Sequence, residues 1–291
     1  MSLQVNVGGV WKQQTDKYVN VGGVWKQVTA EYVNVGGVWK QYYGGTGAIN
    51  LVITANTANY DVFAAAGSPS SIVNVTLTIN GGVIVYSSAS TSSAIRIVGF
   101  AAGSTVTIIN NGNIYGAGGN GSLSIGAAGA TGGDAIYANM PITIDNTNGY
   151  IFGGGGGGMG GGHSNGNWID YAGGGGGMGM NGGVGNYAYA GGVAGYTASI
   201  VAYATSGNTS GAGSGSTTKF YTSGKGAITV YSYGGAGGAW GAAGGAASQS
   251  QYTSYFYTYG AGAGGFSIRT NGAGLSITGG NNTNQIKGSY N

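Results

Sequence analysis

The chain has 291 residues, of which 68 are glycine and 2 are proline. No Gly-X-Y period is sustained, which excludes collagen although glycine is about three times its usual share. Charged residues make up 5 %, and the formal charge of +3 is scattered without a basic run, so nucleic-acid binding by phosphate neutralisation is excluded. Cysteine is absent, no apolar stretch reaches the ~18 residues of a membrane helix, and Met1 to Gln4 lacks the charged and apolar regions of a signal peptide.

Residues 5–41 carry the nonapeptide VNVGGVWKQ three times at a period of 14. Val-Asn-Val, Gly-Gly and Val-Trp-Lys predict a two-residue β-hairpin, with Val7 opposite Val10 and Asn6 opposite Trp11. An isolated hairpin is marginal in water, so the three need a partner surface. Two readings stay open. One is a meander packed on its own chain. The other is an attachment or oligomerisation module (1–43) whose Trp11, Trp25 and Trp39 dock on a fibre or on sister chains.

The stretch 44–152 reads as a β-domain. Apolar or alternating runs at 49–53, 73–79, 83–86 and 95–98 are bounded by turn residues, and Asn80-Gly81-Gly82 is expected to make a hairpin turn. Essentially no α-helix is predicted beyond one turn within Tyr60 to Ala66. The segments 105–116 and 142–153 share a plan of strand, Asn-rich turn, strand and glycine. Ile228 to Tyr231 and Leu275 to Thr278 look like shortened versions. Recurring strands between glycine excursions suggest stacked β-rungs with glycine hairpins projecting from them.

From Gly153 onward glycine blocks alternate with aromatic inserts: His163 to Tyr171, Asn186 to Ala190, Tyr196 to Thr205, Ser216 to Tyr233 and Ala246 to Tyr259. Glycine is a poor former of helices and ordinary strands, which leaves a flexible linker or polyglycine II helices packed side by side. Flexible linkers are polar and poor in aromatics. The aromatic, nearly uncharged inserts therefore favour an ordered bundle over 153–291. Valine scanning of 153–158 is expected to give a threefold pattern of damage, and inserts joining successive antiparallel helices are expected to alternate ends.

The VNVGGVWK repeats, the segment INNGNIYGAGGNG and the glycine blocks ending in LSITGGNNTNQIKG resemble tail-fibre and adhesin proteins of tailed bacteriophages. The second half is similar to the glycine-rich receptor-binding adhesins at the fibre tips of T-even-like phages. The resemblance implies a polyglycine-helix sandwich whose apical loops bind a bacterial surface receptor, either an outer-membrane protein or a polysaccharide, and set host range. It also implies a virion component made in the host cytoplasm, partnered by other tail-fibre or baseplate proteins, as a homotrimer or a cap on a trimeric fibre.

Chemistry for catalysis is scarce. His163 is the single histidine, and the carboxylates are Asp16, Glu31, Asp61, Asp134, Asp145 and Asp170. His163 with Asp170 is the one conceivable relay, but His163 reads as a polar loop residue. A glycosidase pair drawn from Asp134, Asp145 and Asp170 has nothing to mark it. Ser223-Gly224-Lys225-Gly226 lacks the Ser or Thr of a phosphate loop. No enzyme, cofactor or metal site is expected. The inserts instead have the Tyr, Ser, Gly and Asn vocabulary of paratopes. Candidate receptor contacts are Trp168, Tyr171, Tyr187, Tyr189, Tyr196, Tyr203, Tyr252, Tyr255, Phe256, Tyr257 and Tyr259, and some of these rings are expected to cap glycine-helix ends instead. The rival readings are a non-binding structural glycine-rich fibre or virion component, an ice-binding bundle and a depolymerase spike. Regular Thr spacing for ice binding and clustered carboxylates for depolymerisation are both missing.

Overall fold

The computed structural model describes residues 4–7, 10–13, 18–28, 30–35, 37–44, 47–122, 127–164, 168–185, 188–192, 196–222, 229–250, 256–258 and 260–291. The chain opens with three antiparallel hairpins. They are β1 (Gln4–Val7) with β2 (Val10–Gln13), β3 (Tyr18–Val21) with β4 (Val24–Gln27), and β5 (Ala30–Val35) with β6 (Val38–Gly44). Each repeats the register expected from the nonapeptide: Asn6, Asn20 and Asn34 lie opposite Trp11, Trp25 and Trp39. Gly22 and Gly23 have φ of +63° and +85°, the left-handed pair that a two-residue hairpin loop demands. Asn20 Oδ1 accepts from the Gly23 N–H at 2.8 Å and fixes the loop.

The β-domain is a three-walled parallel solenoid. Its first rung is β7 (Gly47–Ile53), β8 (Thr57–Ala58) and β9 (Tyr60–Asp61). A single helical turn follows, α1 (Val62–Ala65), capped by Asp61 Oδ1 accepting from the Ala64 N–H. The second rung is β10 (Val73–Ile79), β11 (Ile84–Tyr86) and β12 (Ser93–Ile97). The third is β13 (Thr105–Asn110), β14 (Asn113–Tyr115) and β15 (Asp134–Ala138), and the fourth begins with β16 (Ile142–Asp145) and β17 (Tyr150–Phe152).

The chain then leaves for β18 (Gly161–Ser164), β19 (Trp168–Ala172), β20 (Tyr189–Gly192), β21 (Tyr196–Ala202), β22 (Thr217–Thr222), β23 (Thr229–Tyr233), β24 (Ser248–Gln249) and β25 (Phe256–Thr258). It returns through β26 (Ile268–Arg269) to complete the fourth rung, and β27 (Leu275–Gly279) with β28 (Ile286–Lys287) forms the fifth.

Alternation explains the walls. In β10, Val73, Val75, Leu77 and Ile79 are buried while the residues between them are more exposed. In-register stacking then builds columns such as Leu51, Leu77, Ile108, Ile144 and Ile277 along the first wall. A one-residue slip would turn a whole column outward, so the pattern fixes the register. Each fully buried Leu or Ile contributes ~1.5–3 kcal/mol. Corners use asparagine: buried Asn110 donates from Nδ2 to Asn146 Oδ1 at 2.7 Å, and Asn146 Nδ2 donates to the Gly280 carbonyl.

Three local expectations change. Asn80 to Gly82 turns a solenoid corner rather than a hairpin, because β10 and β11 belong to different parallel walls. Thr229–Tyr233 is an antiparallel strand of a separate sheet and not a rung. Residues 268–291 pair with the solenoid, so the break at 153 does not separate the two structures, and 116–122 with 127–133 bond into the glycine-rich part.

The glycine-rich part is a lattice of extended segments running side by side. Seven successive N–H groups, from Gly153 to Met159, donate at 2.8–3.0 Å to Lys287, Gly133, Met178, Ala242, Ala130, Gly175 and Gly245 in turn. From Gly154 onward each third donor meets the same neighbour: 154 and 157 reach 130–133, 155 and 158 reach 175–178, and 156 and 159 reach 242–245. That is the three-residue turn of a polyglycine II helix, read from its hydrogen bonds. Three further segments donate back: Gly119 and Ser122 to the carbonyls of 155 and 158, Gly238 and Gly235 to those of 156 and 159, and Gly265 and Gly262 to those of 154 and 157.

Six neighbours therefore surround one central helix, with backbone polarity satisfied in every direction. A Cβ on any of Gly153 to Gly158 would fall within 3 Å of backbone atoms, alternating among 262–265, 117–121 and 235–239. All three ridges are occupied. The threefold signature lies in which neighbour is struck and not in a tolerant third position.

The two parts are pinned by aromatics. Tyr115 and Phe152 stack on the second wall, and Trp240, at the tip of a glycine turn, packs on both at centroid distances of 4.9 and 5.5 Å. Lys287 Nζ lies 4.8 Å from the Phe152 ring centroid.

Candidate functional site

The helix 153–160 runs from β17 to β18, which at ~3.1 Å per residue places its far end roughly 25 Å from the solenoid. There β20, β19, β18 and β25 form one antiparallel four-stranded sheet, and β21, β22, β23 and β24 form a second. All five aromatic inserts supply strands to these two sheets. The chain segments at 179–182, 208–211 and 239–242 that reverse the glycine helices at their other ends are short. The expected alternation of inserts between ends is thus corrected: the inserts gather at one end because each opposite turn is short.

Two buried side chains hold this end together. His163 is fully buried in β18, with Nδ1 at 2.9 Å from Ser232 Oγ on β23 and Nε2 at 2.9 Å from Gln249 Oε1 on β24. It links the two sheets and is not the loop residue that its glycine context suggests. Asp170 lies opposite His163 in register, but the imidazole nitrogens are engaged by Ser232 and Gln249. Tyr171 is 2 % exposed, and its hydroxyl lies 2.7 Å from both the carbonyl and Oγ of Ser122. Burial removes Tyr171 from the receptor-contact candidates and gives it an anchoring role between β19 and the segment 116–122.

The other candidates sort by position. Trp168 lies in β19 opposite Gly192, and Tyr189 in β20 opposite Tyr171. Tyr196 pairs with Thr222, while Phe256 and Tyr257 pair with His163 and Gly162. Tyr203 is 66 % exposed just beyond β21. Tyr187, Tyr252, Tyr255 and Tyr259 lie outside the described residues. On the N-terminal hairpins Trp25 is exposed in β4, and Trp11 and Trp39 hold the equivalent register positions in β2 and β6.

Tyr231 and Tyr233 lie in the insert Ser216 to Tyr233 but are absent from the receptor-contact candidates. In β23 the middle residue, Ser232, is buried on His163, so Tyr231 and Tyr233 share the opposite face. Their rings stack at 6.2 Å, and Lys219 Nζ lies 5.9 Å from the Tyr231 centroid. The period-two pattern Tyr-Ser-Tyr was the available signal. Together they make a half-exposed aromatic and cationic platform, suited to binding. Among the described residues no group of three or more His, Cys, Asp or Glu is placed to hold a metal, and no helix is long and apolar enough to cross a membrane.

Residues 48–291 match the family of phage tail fibre adhesins Gp38. Among solved structures, the chain is similar to the gp37-gp38 adhesin tip complex of the bacteriophage S16 long tail fibre, at 19 % identity and a TM-score of 0.47, covering 85 % of this chain and 83 % of that one. No curated protein matches it. With the family match spanning most of its length, the chain belongs to the Gp38 phage tail fibre adhesins, which attach the fibre to its host.

Proposed function

We propose that the two-sheet end of the glycine bundle is the receptor-binding face and that the N-terminal hairpins mount the adhesin on its fibre. The supporting observation is the gathering of every aromatic insert at the end of the bundle remote from the solenoid. A rigid lattice with interchangeable inserts suits recognition that varies between hosts, because loops on a fixed scaffold tolerate exchange. The receptor is a bacterial outer-membrane protein or surface polysaccharide, and the action is binding without covalent chemistry. The ring platform Tyr231 and Tyr233, with Lys219, and the exposed Tyr203 provide amphipathic anchors for such a partner.

An adhesin of a tail fibre must also be carried by one. Trp25, 68 % exposed, with Trp11 and Trp39 at the equivalent register positions, offers a repeated aromatic set for docking other tail-fibre proteins. The adhesin then caps the fibre as a virion component. The test is adsorption to host cells. Tyr231→Ala with Tyr233→Ala should melt with the parent and adsorb at least tenfold more weakly, as a loss of ~1.4 kcal/mol or more gives. Unchanged adsorption by this variant would remove the platform from the receptor site.

A further inference from the structure

The third wall of the solenoid carries a feature that the distal reading does not use. In register, Asp61, Arg96, Tyr137 and Arg269 stack on successive rungs. Adjacent strands are ~4.8 Å apart, so the ladder is about 14 Å long. Ser93 pairs with Asp134 beside it. A groove of about 500 Å³ runs along this ladder, edged by the 90–93 loop and by Thr131 and Gly132 where the chain returns from the glycine bundle. Its size falls within the ~300–1,000 Å³ of small-ligand sites.

We propose that this groove is a second binding site, and that its ligand is a neutral, hydroxyl-rich saccharide. Charge decides the class. Arg96 Nη1 lies 2.8 Å from Asp61 Oδ2, and Arg269 contacts Asp134 through Nε at 2.9 Å and Nη2 at 3.0 Å. Each cation is neutralised by its own carboxylate, which leaves no net charge to select a phosphate or a metal ion. The pairs nonetheless present strong donors and acceptors to the hydroxyl groups of a sugar.

Ser90, Thr91, Ser93 and Thr131 add hydroxyls at the rim. The Tyr137 ring offers the one apolar face, against which the C–H face of a sugar ring packs. Asn271 Nδ2 donates to the Tyr137 hydroxyl at 2.9 Å and fixes that ring. Among the described residues lining the groove none is aliphatic. A protein partner would require an apolar anchor pocket there, so a saccharide fits better. Asp134 is the least exposed of the four charged side chains, at 12 %, and burial raises its carboxyl above the usual range against the Phe266 N–H and the Arg269 guanidinium.

The test uses the full chain and oligosaccharides released from the surface of the bacterium that the phage infects, separated into neutral and acidic fractions, with inorganic phosphate as an anion probe. Binding is read by calorimetry for the parent, Tyr137→Ala, Thr91→Arg and the distal pair Tyr231→Ala with Tyr233→Ala. Thr91 is exposed at the rim, so its replacement fills the groove without touching the core. The neutral fraction should bind the parent and the distal variant alike, at least tenfold more weakly to Tyr137→Ala, and not at all to Thr91→Arg. Unchanged binding in both groove variants overturns the site. Binding of phosphate or the acidic fraction alone overturns the ligand class, and binding of no fraction overturns the proposal outright. Loss confined to the distal variant places the saccharide at the distal face and refutes the groove while leaving the receptor-face reading intact.

Discussion

Replacing Gly156 by alanine adds one methyl group at a crowded point of the lattice. That methyl would fall within 3 Å of the carbonyl groups of Gly262 and Ala263, all backbone atoms with no side chain able to swing aside. The neighbouring helix must retreat. The bonds from Gly156 N to Ala242 O (2.9 Å), Gly238 N to Gly156 O (2.7 Å) and Gly244 N to Gly262 O (2.9 Å) lie in the path of that movement.

Losing two or three such bonds costs ~1 kcal/mol each, and overpacking adds ~1–3 kcal/mol. Against this stands a gain of ~0.4–1 kcal/mol from restricting the unfolded chain. The net destabilisation is about 2–5 kcal/mol, or a melting shift of roughly 4–20 °C at ~2–4 °C per kcal/mol. Gly154→Ala and Gly155→Ala should be similarly damaging, because their ridges strike other helices. Gly211→Ala is the control: nothing lies within 4 Å of its added methyl, and it should be neutral or slightly stabilising. Melting of the four variants by circular dichroism decides the matter. Gly156→Ala unfolding with Gly211→Ala would refute the packed lattice.

Tyr171→Phe should lower stability by ~0.5–1.5 kcal/mol in chemical denaturation, because it removes the buried hydrogen bonds between the Tyr171 hydroxyl and Ser122. His163→Leu removes the link between the distal sheets; adsorption should fall and proteolysis within the inserts should quicken, while the solenoid keeps its β-sheet circular dichroism. Asp134 has a raised folded-state pKa through burial. Its contribution to stability is therefore fully present below the unfolded value of ~3.8–3.9 and is lost as pH rises through the folded value. The difference in denaturation midpoint between Asp134→Asn and the parent should therefore move in favour of the variant as pH rises above the unfolded value.

Much of this architecture is legible in the chain. The VNVGGVWK register follows from period-two alternation around a two-residue glycine turn, and it appears residue for residue in Asn6 opposite Trp11. The similarity of 105–116 to 142–153 reflects real rungs, because in-register stacking requires like residues at like positions. Asn80 to Gly82 was misread because a solenoid corner and a hairpin loop use the same turn residues. The difference is a partner strand thirty or so residues away, which local pattern does not encode. His163 and Tyr171 were misplaced for a related reason: their burial comes from Ser232, Gln249 and Ser122, which only the folded bundle brings near. The Tyr231 and Tyr233 platform was missed because Ile228 to Tyr231 also has the composition of a rung.

Exchange of the aromatic inserts tests the central claim most directly. The sequences between the glycine helices at the distal end, those of 161–172, 186–205, 217–233 and 247–259, would be replaced together by their counterparts from a Gp38 adhesin of different host range. The solenoid and every glycine helix would stay unchanged, and adsorption to both hosts would be measured. Adsorption should move to the second host while the melting temperature stays within a few degrees of the parent. Adsorption that remains with the original host would show that recognition lies elsewhere on the molecule.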